Sequence, residues 1–207
     1  MKHAAAPPRK TGRPLSFDRG AVLERAMHAF WQSGYETTSI SDLTTAMGVT
    51  TPSLYSAFGD KKGLFLEALR LYAGDRNDLR EAFAKASSAK IAVRDMMVGA
   101  AMRFTDVSTP KGCLLASAAA SGSKGASDIR DAIAAEREAV RLIIVDRIEA
   151  DVRCGDLPSN TDPNVLANVA IATIQGMSVL ARDGLERPAI IAVADASIEC
   201  WPVVVSI

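Results

Sequence analysis

Between residues 42 and 58 the chain reads DLTTAMGVTTPSLYSAF, two short helical periods parted by only three residues. Helices this short do not hold themselves in water, so both must turn their apolar residues into one small shared core. Leu43, Met47, Val49 and Leu54 supply that core, and Gly48 falls where the backbone must leave the first helix in a left-handed conformation. Thr50 is placed to cap the second helix. Pro52 is tolerated there, because first-turn N–H groups have no helical partner. The pattern predicts a helix-turn-helix. Its second helix presents Thr51, Ser53, Tyr55 and Ser56 outward, hydrogen-bonding groups suited to phosphate oxygens and base edges. An ordinary helix pair with a wet polar face would show the same short pattern, so the surrounding residues have to decide.

Those residues extend the unit in both directions. Val22, Leu23, Ala26, Met27, Phe30 and Trp31 recur at helical spacing and Gly34 stops them. Thr38 is expected to cap a short helix over residues 39–47, and Asp60 to cap a longer one carrying Leu64, Phe65, Ala68, Leu69 and Tyr72. Further helices are expected over residues 91–104, 113–121, 128–153, 163–183 and 188–201. A loop built from Gly122, Ser123, Lys124 and Gly125 interrupts them. Strand signals are almost absent, since Val203–Val205 is too short to matter, and there are no internal repeats. The class is all-α. Residues 1–15 read as a flexible basic arm, 16–62 as a three-helix helix-turn-helix domain and 63–207 as a separate helical domain.

Charge is informative only in its distribution. The chain has 24 basic and 24 acidic side chains, but residues 1–62 hold eight of the first kind and five of the second. Any phosphate-binding face therefore belongs at the front. Lys61 lies beside the cap Asp60 at the positive end of a helix, an unfavourable place for a cation unless a phosphate docks there. Arg13, in the arm, is placed to reach into a minor groove; a loose basic tail would have the same composition. Three widely spaced cysteines without a CxxC pair predict neither a disulfide framework nor a metal site, and suit a reducing cytoplasm. No run approaches the ~20 uncharged apolar residues of a membrane span, and no hydrophobic segment follows the basic N-terminus, so neither membrane nor export is expected.

From Gly12 to Tyr72 the segments GRPLSFD, AFWQSGYETTSISDL, MGVTTPSLYSAFGDKKGLF and EALRLY resemble the DNA-binding domain of the tetracycline-repressor (TetR) family. The resemblance implies that Thr38, Tyr55 and Lys61 hold phosphates of double-stranded operator DNA. It places Thr50, Thr51, Pro52, Ser53 and Ser56 over the major groove. Thr44 and Ala57 depart from the family pattern, at the helix crossing and at a frequent phosphate contact.

The same resemblance implies a C-terminal domain that binds a small-molecule inducer and forms a homodimer through its last two helices. Ala167, Ala170, Ala172 and Gly176 would allow close approach there, with Val169, Ile174, Met177, Ile191 and Ile198 as apolar area. Met97, Phe104, Cys113 and Met177 are the candidate pocket residues, because aromatic and sulfur side chains line adaptable cavities. At helical spacing the same residues also serve as plain core. Cys113, two residues from Lys111 and near a helix start, is the thiol expected to react first if any does; a buried, inert thiol is the other possibility. A thiol-dependent enzyme is disfavoured, since the only histidines are His3 and His28, and no cofactor is expected. A ligand-free DNA-binding activator is the other alternative.

Overall fold

The computed structural model describes residues 17–119 and 127–203, and ten α-helices and no strand occur among them. Arg13 and the loop 122–125 lie outside the described residues. The N-terminal helices are α1 (Arg19–Ser33), α2 (Ile40–Met47), α3 (Thr51–Phe58) and α4 (Lys61–Ala73). They are followed by α5 (Arg76–Lys85), α6 (Ala89–Phe104) and α7 (Leu114–Ala119), then α8 (Ser127–Cys154), α9 (Pro163–Arg182) and α10 (Arg187–Glu199).

Capping explains most of these boundaries. Asp18, Thr50, Asp60, Asp75, Ser88 and Asp162 each accept first-turn N–H groups with their side chains. The cap of α2 is Ser39 rather than Thr38. Ser39 and Asp42 form a reciprocal capping box, whereas the Thr38 hydroxyl turns inward and donates to Gly34 O at 2.6 Å. Helix α5 was not expected from the sequence. Of its ten residues only Phe83 is buried, so no apolar stripe betrays it.

Two apolar cores result. The first joins Val22, Phe30 and Trp31 of α1 with Leu43, Leu54 and Phe58, and with Leu64, Phe65, Ala68 and Leu69 of α4. It continues into Leu114, Ile129 and Ile133, so α7 and the start of α8 brace the N-terminal unit. The second packs α6, α8, α9 and α10 through Met97, Phe104, Ile144, Ile148, Ala170, Met177 and Ile190, among others. Hydrogen bonds between α1, α9 and the segment before α7 help tie the two cores together. Trp31 Nε1 donates to Gly112 O at 3.1 Å, while Arg182 donates to Lys111 O at 3.4 Å and to Trp31 O at 3.3 Å.

Helix α9 corrects the expectation that no run approaches a span. It is uncharged from Pro163 to Ala181, long and apolar enough to cross a membrane by length and composition alone. One face, Ala167, Ala170, Met177 and Ala181, is packed into the second core. The opposite face is bare: Val165, Val169 and Val179 are 55%, 44% and 53% exposed. Ala172 and Gly176 lie on it, and Val193 of α10 is also exposed. Four residues assigned to a subunit interface from sequence, Ala167, Ala170, Met177 and Ile198, are instead buried within the protomer.

Candidate nucleic-acid interface

The turn between α2 and α3 has the geometry its residues dictate. Gly48 is left-handed (φ 69°, ψ 34°), and its N–H reaches Thr44 O at 3.0 Å. Thr50 is extended, and its Oγ1 accepts from Ser53 N at 3.4 Å and lies 2.9 Å from Ser53 Oγ. Leu54 and Phe58 anchor α3 in the core. Thr50, Thr51, Pro52, Tyr55 and Ser56 are exposed and Ser53 is half-buried, so the candidate base-reading residues share an accessible face.

Two arginines that sequence inspection counted only as charges hold this face in place. Arg25 Nη1 donates to Met47 O at 3.0 Å, a carbonyl at the end of α2. Arg19 donates to Ala57 O at 3.3 Å, pairs with Glu67 at 2.7 Å and sits 4.5 Å over the Phe58 ring. Both tie the helix pair to α1.

The phosphate candidates are placed differently from one another. Tyr55 is 45% exposed on the outer side of α3. Lys61 opens α4, where its ammonium donates to Glu36 O at 3.3 Å and lies 4.6 Å over the Tyr35 ring. Partial burial draws the Lys61 pKa below its ordinary value against the opposing pull of Glu36 and Asp42. Thr38 is 2% exposed, so its side chain is directed into the protein rather than towards a duplex.

Met97, Phe104, Cys113 and Met177 all fall in the second core and none is more than 4% exposed. Cys113 accepts a hydrogen bond from Tyr72 Oη at 3.3 Å. Burial first, then Cys113, pushes the Tyr72 pKa far up, so the phenol keeps its proton and remains the donor. Lys111, expected beside the thiol, instead donates to Thr105 O at 2.9 Å.

The arrangement has close counterparts. Residues 22–68 match the family model for bacterial regulatory proteins of the tetR family, and residues 92–190 match a tetracyclin repressor-like C-terminal domain. The HTH-type transcriptional repressor ComR of Escherichia coli (strain K12) is 33% identical over 92% of each chain. A cysteine-substituted variant of the TetR family regulator CifR, solved with a 26-bp double-strand operator DNA, is 38% identical. It superposes with a TM-score of 0.87 over 92% of this chain and all of that one. A TetR regulator from Rhodococcus sp. RHA1 is 37% identical, with a TM-score of 0.62 over 90% of this chain and all of its own. With its helix-turn-helix, its C-terminal helical domain and these relatives over nearly its whole length, the chain belongs to the TetR family of DNA-binding transcriptional regulators.

Proposed function

We propose that the chain is a homodimeric cytoplasmic repressor that binds operator DNA through residues 16–62 and is released when a small molecule engages residues 63–207. The observation that carries this reading is the exposed, braced face of α3, flanked by Lys61, in a chain whose likeness extends to an operator-bound relative. Thr50, Thr51, Pro52, Ser53 and Ser56 would lie over the major groove, with Tyr55 and Lys61 on phosphates and Arg13 entering a neighbouring minor groove. Thr38 would contribute through its backbone, since its hydroxyl is spent on Gly34 O. The bare valine face of α9 and α10 supports dimerisation, because a second copy would cover it. The direct test is binding of the protein to the DNA upstream of its own and adjoining genes. Replacing Ser53 should change which sequences are preferred, and equal affinity for every duplex would refute a sequence-reading role.

For the inducer response, Met97, Phe104, Cys113 and Met177 form the core that would have to part around a ligand. The Tyr72–Cys113 hydrogen bond supports a part for Cys113, because it ties α4, the helix leading out of the DNA-binding core, to the segment before α7. Modification of the sulfur would break that tie. The Cys113→Ser variant should then resist release from the operator by electrophiles, and release equal to the parent's would remove the thiol from the response.

A further inference from the structure

Where α4 turns into α5, a cleft of about 620 Å³ opens against α8. Three arginines line it: Arg70 from the last turn of α4, and Arg76 and Arg80 one turn apart on α5. Among the described residues, only Arg76 of the three has an acidic partner, Glu136 at 2.7 Å. Arg70 and Arg80 are exposed, and their guanidinium groups make no hydrogen bond or ion pair among the described residues. The acids in the cleft are Glu136 and Asp75, and the Asp75 carboxylate caps α5 by accepting from Asn77 N at 2.8 Å. One positive charge is left in excess, with two guanidinium groups unengaged. Ala139 and Leu142 of α8, the latter 45% exposed, give the cleft an apolar side, and Ala73, Gly74 and Asn77 complete its lining.

We propose that this cleft binds a small organic anion, a carboxylate or phosphate ester with an apolar body. Its head sits among Arg70, Arg76 and Arg80, and its body lies on Ala139 and Leu142. Guanidinium groups recognise such heads by paired charge-assisted hydrogen bonds, and two of the three here have donors to spare. The volume suits a ligand of modest size. The cleft is set apart from the proposed phosphate contact at Lys61: Arg70 lies about 14 Å further along α4, beside α8. The cleft has a direct mechanical line to the DNA-binding unit, because α4 carries Arg70 at one end and packs Leu64, Phe65 and Ala68 into the first core. As a regulatory site separate from the core around Met97 and Cys113, the cleft rests on the regulatory reading above, but anion binding itself does not.

The test is calorimetric titration of the full chain, without DNA, against octanoate, octyl phosphate and the uncharged octan-1-ol. Both anions should bind saturably at one site per chain, and the alcohol should not. The double variant Arg70→Gln/Arg80→Gln should lose at least about tenfold in anion affinity while melting as the parent does, since both side chains are exposed and make no bond among the described residues. Glu136→Gln should tighten binding by freeing Arg76. Unchanged affinity in the double variant, alcohol binding as strong as octanoate's, or no saturable binding of either anion would each overturn the proposal. Operator affinity of the unliganded protein is measured separately: its absence would overturn the regulatory reading and leave the anion site standing.

Discussion

Gly112 is where a single methyl group should do most damage to the link between the two cores. Its φ is +79°, a region an L side chain enters at a cost of about 1–2 kcal/mol. A Cβ there would lie 2.8 Å from Ser178 O and 2.8 Å from Arg182 Cγ. The arginine can swing aside; the carbonyl of α9 cannot. Relief therefore requires the loop to back away from α9, which pulls Gly112 O from the buried Trp31 N–H, now 3.1 Å from it. Leaving those groups unpaired adds about 1–3 kcal/mol. Gly112→Ala should thus destabilise the protein by about 2–5 kcal/mol, a large part of the ~5–15 kcal/mol typical of a folded domain. Gly155→Ala is the control, since Gly155 has a similar φ of +83° but nothing within 4 Å of its added Cβ. It should cost only the conformational part. Urea unfolding followed by the fluorescence of Trp31 and Trp201 would compare the two. Equal losses for both variants would refute the claim that Gly112 is wedged between α1 and α9.

Gly176→Arg should abolish dimerisation without unfolding the protomer, because Gly176 faces outward with open space where a Cβ would go; a variant still dimeric in sedimentation would place the interface elsewhere. The Asp42 carboxyl is held below its ordinary pKa by the hydroxyl and N–H of Ser39, at 2.7 and 2.8 Å. A depressed carboxylate pKa adds stability above the unfolded value of about 4 and loses it as the pH falls through the folded one. Asp42→Asn should therefore melt below the parent at neutral pH and converge with it in acid, and parallel melting profiles across that range would refute the assignment.

The helix pair was legible because each of its constraints is local. Gly48 is the left-handed exit, Thr50 the cap and Pro52 the first-turn residue, and all three stand in the structure as the sequence demands. The choice between Thr38 and Ser39 as cap was not legible, since both are good caps and only the inward turn of Thr38 decides. On α9, apolar residues lie all round, so periodicity cannot say which face packs inside the protomer. Ala167, Ala170 and Met177 went inward, and Val165 and Val179, not foreseen for an interface, stayed bare. Helix α5 hid for the opposite reason, being polar nearly throughout. The arginine cleft is tertiary: Arg70, Arg76 and Glu136 line one cleft only because α4 and α5 pack against α8.

The central claim, that the face of α3 and the start of α4 grip DNA, is tested most directly by the salt dependence of operator affinity in the parent and in Lys61→Ala. Each phosphate neutralised by a cation contributes about one unit to the slope of log affinity against log salt. The parent should bind its operator with a steep negative slope. Lys61→Ala should bind all duplexes more weakly, keep the parent's order of sequence preference and show a slope shallower by about one unit. Because Lys61 also rests on Tyr35 and Glu36 O, the variant's melting temperature is recorded alongside, to show that it is folded at the assay temperature. A folded variant with an unchanged slope would contradict the placing of DNA on this surface.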